Sequence, residues 1–224
     1  MEIYLKGIQI AYSGILVTLE ITVFAVLIGV AAGLVVALGK MSSFKAVRIL
    51  FSAYVEILRG TPLIVQVLIV YAGVPMLLNK YGFEFRWDDP VVTSILVCGI
   101  NSSAYVAEII RSGLQAVDKG QMEAARSLGM SHYQAMRYII VPQAFRIILP
   151  ALANEFIALL KETAVLSIIS VVEVTRKSML WGAATFEYWP AYLGTAFVYL
   201  SITFPLSRAV ALMERRLALS DRSK

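Results

Sequence analysis

Residues 123 to 142 read EAARSLGMSHYQAMRYIIVP, a polar stretch rich in helix-forming residues. The segments on both sides of it are apolar enough to cross a lipid bilayer. Glu123 and the two alanines after it open a short helix with one apolar and one charged side. Gly129 breaks that helix, and Ser131 is a natural N-cap for a second helix that returns to a turn at Pro142. The pattern predicts a helical hairpin that lies along a membrane surface.

The composition of the whole chain is that of a membrane protein. Hydrophobic residues make up 59% of it, charged residues 16%, and the mean hydropathy is +0.75. These values exclude an ordinary soluble globular domain. At roughly 20 apolar residues per crossing, the chain has room for about five or six spans. The net charge of +5 is typical of membrane topology, so we predict a membrane partner and no nucleic-acid partner.

Five apolar stretches are candidates for membrane spans. They lie near residues 10 to 38, 50 to 78, 90 to 110, 140 to 160 and 191 to 213. Lys and Arg residues are more numerous on the inner side when the N-terminus is placed outside. We therefore predict an all-α integral membrane fold of five transmembrane helices, with the N-terminus out and the C-terminus in. Residues 1 to 224 form a single domain, and the hairpin at about 118 to 138 is cytoplasmic, between spans three and four.

The segment from Thr163 to Ser178 is apolar at its start but too short to cross a bilayer. Glu173, Arg176 and Lys177 close this segment. We expect it to form a short helix at the interface or one packed into a vestibule.

The hairpin carries a spaced motif. Its fixed positions are Glu123, Ala124, Ala125, Gly129, Ile139, Val141 and Pro142. This spacing closely resembles the EAA loop of ABC-importer permeases, and the sole departure is Val141 where the family pattern has Leu. On hydrophobic periodicity alone, the hairpin could equally be a simple amphipathic anchor.

Other stretches resemble the polar amino acid uptake branch of the same family. They are ILRGTPLIVQ at 57 to 66, INSSAYVAEIIRSGLQAV at 100 to 117 and LANEFIALLKETAVLS at 152 to 167. The resemblance implies a bacterial inner-membrane, multi-pass permease that imports a polar or charged amino acid by alternating access. It also implies an ABC ATP-binding subunit, an extracytoplasmic solute-binding protein and a second permease copy, identical or related. We favour the homodimer.

In that family the EAA loop forms the coupling helices that sit in a cleft of the ATP-binding subunit. The resemblance therefore implies a docking surface for that subunit. Its predicted residues are Glu123, Ala124, Ala125, Ser127 and Gly129.

Ionisable side chains at membrane depth are costly, so each needs a partner or a water-filled cavity. Glu155 and Glu162 are seven residues apart and share one helical face, where two carboxylates can bind an ammonium or guanidinium group. We predict a substrate-binding set. It comprises Asn154, Glu155, Glu162, Thr163, Arg59 and Asn101. The alternative is that Glu155 pairs with Lys161 or Arg59, and that Glu162 caps a helix end.

Several kinds of chemistry have no signature in the sequence. No phosphate-binding GxxxxGK[ST] loop occurs, so energy must come from a partner. His132 is the only histidine and Cys98 the only cysteine, and neither lies in a metal-ligand pattern. We predict a transport subunit with no catalytic residues, no metal and no cofactor. The alternatives are an ion-coupled carrier or channel that needs no ATPase, and a structural subunit with no pathway.

Overall fold

A computed structural model describes residues 1 to 222, with side chains described as far as residue 217. Residues 223 and 224, the last of the predicted domain, lie outside the described residues. The described chain is helical with no β-strand, which confirms the all-α prediction. The helices are α1 Glu2–Tyr12, α2 Ile15–Lys40, α3 Lys45–Gly60, α4 Leu63–Leu68, α5 Val74–Lys80, α6 Pro90–Gln115, α7 Lys119–Ser127, α8 His132–Ala135, α9 Val141–Glu162, α10 Val174–Thr185 and α11 Tyr188–Arg222. Single π-helical turns join α4 to α5 and α8 to α9.

Four helical stretches of the described chain are long and apolar enough to cross a membrane. They are Glu2–Lys40, Leu63–Lys80, Pro90–Gln115 and Tyr188–Leu217. The predicted fourth span corresponds to α9, whose 22 residues reach about 33 Å.

The centre of the molecule is the pair α2 and α6, which pack closely along their lengths. A Cβ added at Gly29 would approach Ser102 Oγ to 2.8 Å, and one at Gly33 would approach Val106 Cβ to 2.7 Å. Small residues therefore let the two backbones come together, as is common for helices in lipid. Cys98 is fully buried in the main core between these helices and α9, where it fills space.

The predicted second span, 50 to 78, is wrong as one continuous helix. The helix α3 ends at Gly60, and Thr61 and Pro62 are extended before α4 begins at Leu63. A proline disfavours helical backbone in the residue before it and cannot donate an N–H, so the chain breaks at this point. Only the part from Leu63 onward belongs to an apolar span.

The predicted turn at Pro142 is also wrong, because the helix continues through it. Val141 N–H donates to the carbonyl of Met136, five residues back, which makes one wide π turn just before the proline. The wider turn accommodates a residue that lacks an N–H and would clash in a regular α-helix. As a result, α8 and α9 form one helical path from the hairpin into the body of the protein.

Glu173 begins a helix, where the sequence suggested that it closes one. The segment Thr163–Ile169 is a 3-10 helix, after which the Glu173 carboxylate accepts hydrogen bonds from Thr175 N–H (2.8 Å) and Arg176 N–H (2.7 Å) at the start of α10. Tyr199 of α11 donates to the same carboxylate at 2.9 Å. Burial raises the pKa of the Glu173 carboxyl, and these hydrogen bonds oppose the rise. The buried carboxylate thus ties α10 to α11.

Candidate docking hairpin and polar pocket

The hairpin is shaped by local hydrogen bonds at its turns. Asp118 caps α7 by accepting from Gly120 N–H at 2.7 Å. Gly129 has a φ of +83°, a left-handed conformation that favours glycine. Ser131 and Gln134 then form a capping box at the start of α8. The predicted glycine break and the predicted N-cap are both confirmed.

The predicted docking residues divide into an outer and an inner group. Glu123, Ala124 and Ser127 are exposed on α7, and Leu128 beside them is 84% exposed. Ala125 is only 4% exposed. The exposed group forms a surface that a partner can reach, whereas the side chain of Ala125 is buried within the protein.

The base of the hairpin packs against the ends of two long helices. Its buried apolar residues are Val117, Ile140, Ala144 and Ile148, with Leu114, Met122, Met136 and others against them. Because this cluster joins α6, α7 and α9, the hairpin is connected to the body of the protein by side-chain packing as well as by the chain.

A polar pocket lies at the break between α3 and α4. It is a cavity of about 360 Å³, large enough for a small solute. Its lining residues are Arg59, Gly60, Thr61, Pro62, Leu63, Asn101, Tyr105 and Glu162. Three of the six predicted substrate-binding residues, Arg59, Asn101 and Glu162, therefore lie around one cavity.

Gln66 holds the broken end of α3 in position. Its amide nitrogen donates to the Leu58 carbonyl and to Thr61 Oγ1, both at 2.8 Å. Its amide oxygen accepts from Asn101 Nδ2 at 2.9 Å, so Asn101 is fixed by the same side chain. The Leu58 carbonyl near the end of α3 thereby gains a donor, and Gln66 ties α3 to α6.

The pocket presents groups of opposite charge. The Arg59 guanidinium lies 5.3 Å from the centre of the Tyr105 ring, which restricts its position by a cation–π contact. The Glu162 side chain is exposed to the same cavity. A cation and a carboxylate in one cavity can bind the carboxylate and the ammonium group of a zwitterion.

The other predicted substrate-binding residues lie outside the cavity. Glu155 accepts a hydrogen bond from Ser102 Oγ at 2.8 Å, and in the described chain it forms no salt bridge with Lys161 or Arg59. Asn154 points away and donates to Glu214 of α11 at 3.3 Å. Thr163 is buried, and its hydroxyl donates to the Leu160 carbonyl at 2.7 Å.

Tyr105, Thr61 and Gln66 were not predicted as site residues. Tyr105 could have been found, because it shares a polar stripe on α6 with Asn101. Thr61 and Gln66 could not, since their roles depend on the break in the helix before Pro62.

A separate ionic group lies about one helical turn beyond Tyr105, toward the C-terminal end of α6. Glu108 accepts from Lys40 Nζ and from Arg111 Nε, each at 2.9 Å. Glu108 and Arg111 lie three residues apart in one helix, a spacing that favours an ion pair. These residues do not line the polar pocket. Among the described residues, no group of three or more His, Cys, Asp and Glu side chains is suited to hold a metal ion.

Comparison with known protein families matches this architecture. Residues 25–219 fit the family described as binding-protein-dependent transport system inner membrane component. The chain belongs to this family. It is therefore a multi-pass permease of the bacterial inner membrane, as the resemblance implied. Membership also implies an ATP-binding subunit and a binding protein as partners.

Individual relatives cover nearly the whole chain. An arginine transport system permease protein of Bacillus subtilis is 38% identical over 208 residues, which is 93% of this chain and 92% of the relative. A putative glutamine transport system permease protein of Rickettsia bellii is 35% identical over 92% of each chain. The crystal structure of an amino acid ABC transporter with histidines includes a chain that is 47% identical, with a TM-score of 0.86, covering 95% of this chain and 96% of its own.

Proposed function

We propose that this permease is the membrane-spanning subunit of an ATP-driven amino acid importer. The observation that carries the proposal is that one helix joins the two functional regions. The helix α9 follows directly from the hairpin at Val141 and reaches the polar pocket at Glu162. A partner that moves the hairpin can therefore move a wall of the pocket. This link supports alternating access, in which ATPase closure biases two arrangements of the permease bundle.

The proposed topology has five spans, with α9 as the fourth span besides the four apolar stretches. Its polar side chains suit a helix that faces a pathway instead of lipid. The N-terminus is outside and the C-terminus inside, since this orientation leaves more Lys and Arg residues in the cytoplasm. The hairpin then faces the cytoplasm, and the chain acts as one permease domain.

The proposed substrate is a polar or charged amino acid bound near Arg59, Asn101 and Glu162. Glu155, two helical turns below Glu162, lies further along the same face of α9 and would meet the solute deeper in the pathway. Asn154 and Thr163 have no direct role in this proposal, because both side chains are directed elsewhere. The relatives described as an arginine transport system permease and a putative glutamine transport system permease support an amino acid as the solute class.

We also propose that two copies of the chain form the pathway. The pocket exposes Arg59 and Glu162 beside the Leu63–Lys80 span, which is itself mostly unburied. Charged groups at membrane depth need to be covered, and a second permease would cover them. A self-sufficient ion-coupled carrier is not favoured, because the chain belongs to a family that depends on a binding protein.

The test is reconstitution in vesicles. The purified chain with its ATP-binding subunit and binding protein should accumulate radiolabelled arginine or glutamine only when ATP is supplied. Accumulation by the chain alone without nucleotide would contradict the proposal.

A further inference from the structure

Gln143 joins the hairpin to the first turn of α9. Its amide nitrogen donates one hydrogen to Gln121 Oε1 of α7 at 3.2 Å and the other to the Ile139 carbonyl at 3.0 Å. Both amide hydrogens are therefore used, one on the hairpin and one on the π turn that leads into α9. Gln121 lies two residues before Glu123, so the bond begins on the same short helix as the docking surface.

The π turn that Gln143 bonds has a counterpart elsewhere in the chain. A π turn precedes Pro142, and a similar π turn precedes Pro75 in the Leu63–Lys80 span. In that span a side chain also bonds the widened turn, since Trp87 Nε1 donates to the Val70 carbonyl at 2.8 Å. Each wide turn thus has a carbonyl that accepts from a side chain. At the hairpin, that side chain is also bonded to a neighbouring helix.

The apolar cluster at the hairpin base cannot fix the relative rotation of α7 and α9 by itself. Hydrophobic contacts are not directional, and the flexible side chains of Met122 and Met136 can repack when α7 shifts. Hydrogen bonds are directional, so a donor with two acceptors on two elements holds them in one register.

We propose that Gln143 is a positioning residue that transmits movement of α7 to α9, and through α9 to the pocket. This inference rests on the proposed function, because it assigns the mechanical link within it. Loss of Gln143 leaves α7 exposed and docked, but lets it move without carrying α9 along. Gln143 contacts neither substrate nor the docking partner in this account.

The experiment uses the complete complex in vesicles and measures radiolabelled arginine or glutamine imported per ATP hydrolysed. Gln143→Glu keeps the shape of the side chain. It replaces the amide NH2 group, which donates both bonds, by a carboxylate oxygen that faces the oxygens of Gln121 and Ile139. We expect the ratio to fall about three- to tenfold, within the range known for residues that carry coupling. The ATP-binding subunit should still co-purify with the permease, and ATP should still be hydrolysed.

A second variant separates coupling from damage to the fold. Adding Gln121→Lys to Gln143→Glu provides a cation opposite the new carboxylate and restores the bond between α7 and α9. The import ratio should return to within about twofold of wild type, as expected for a directly coupled pair. Gln9→Glu makes the same change on α1, where Gln9 bonds Lys6, and should leave the ratio unchanged.

Three outcomes would overturn the inference. The first is a wild-type ratio in Gln143→Glu, and the second is failure of Gln121→Lys to restore it. The third is loss of the ATP-binding subunit in step with the ratio, because that result would make Gln143 part of the docking structure. If the wild-type complex does not import with ATP, the proposed function fails instead, and the inference fails with it.

Discussion

The hairpin and the polar pocket are stabilised in different ways. Bonds between residues close in sequence shape the hairpin, such as the capping box of Ser131 and Gln134 and the left-handed turn at Gly129. The pocket is assembled from α3, α6 and α9, and depends on long-range contacts such as that of Asn101 with Gln66. A region defined by local bonds can serve as a rigid part that a partner moves. A region assembled from several helices can open and close when one of them shifts.

The first prediction concerns solute binding in the pocket and has the largest expected effect. Glu162→Gln should raise the KM for a cationic or zwitterionic amino acid about tenfold to a hundredfold, because a hydrogen bond to a charged group is lost. Docking of the ATP-binding subunit should not change. Solute-dependent ATPase activity of the reconstituted complex measures KM, and pull-down measures docking.

Lys161→Gln is the matched control, since Lys161 is exposed at the same end of α9 but does not line the cavity. Its KM should stay close to wild type. If Glu162→Gln and Glu155→Gln both transport and hydrolyse ATP at wild-type levels, the pocket assignment is wrong.

The second prediction concerns the hairpin, where a substitution should weaken docking of the ATP-binding subunit and leave solute binding unchanged. Gly129→Val places a β-branched residue at a positive φ, which costs about 1–2 kcal/mol and distorts the turn. Affinity for the ATP-binding subunit should fall about five- to thirtyfold, with solute affinity unchanged. Titration of the ATP-binding subunit against the purified permease measures this affinity.

Gly82→Val is the control, because it introduces the same backbone strain outside the hairpin. Gly82 has a φ of +86°, and, like Gly129, it has no atom within 4 Å of an added Cβ. It lies in the loop between α5 and α6, on the proposed outer side. An equal loss of docking in both variants would mean that general destabilisation, and not the hairpin surface, is responsible.

The third prediction concerns a contact outside both regions. Glu173→Ala removes the acceptor for two backbone N–H groups and for the Tyr199 hydroxyl, which should cost about 1–3 kcal/mol of stability. The thermal midpoint of the detergent-solubilised complex should fall by several degrees. Solute KM and docking should both stay unchanged below that midpoint, and a shift in either alone would place Glu173 in a functional region.

The smallest expected effect is that of Asn154→Ala. The Asn154 side chain is exposed, is bonded to Glu214 of α11 and does not line the pocket. Transport should change by less than about twofold, as is usual for a weak exposed contact. A large rise in KM would return Asn154 to the substrate-binding set and show that α9 rotates during transport.

The difference between local bonds in the hairpin and long-range contacts in the pocket also explains which features could be predicted from the sequence. The break at Gly129 and the cap at Ser131 follow from the preferences of single residues, so both were predicted correctly, whereas the predicted turn at Pro142 was wrong. The break at Thr61 was missed, because residues 50 to 78 were treated as one apolar span. The interaction of Gln66 with Asn101 and that of Glu155 with Ser102 join separate helices, and no local pattern indicates them.

Helical geometry alone could have shown that Asn154 does not share the face of Glu155 and Glu162. Adjacent residues project about 100° apart around a helix, so Asn154 cannot share a direction with Glu155. Glu155 and Glu162 do share a face but lie about 10 Å apart along the axis. The cavity at the end of α9 therefore includes Glu162. Glu155 lies about two turns nearer the start of α9 and contacts Ser102 of α6.

The most direct test asks which side of the membrane the hairpin faces and what covers it. Leu128→Cys places a thiol on the exposed hairpin and Phe83→Cys places one in the α5–α6 loop, while the native Cys98 is buried. A membrane-impermeant maleimide applied to intact cells should label position 83 but not position 128. Position 128 should react only in opened cells and be protected by the ATP-binding subunit. Labelling of position 128 from outside, or no protection by that subunit, would contradict the account.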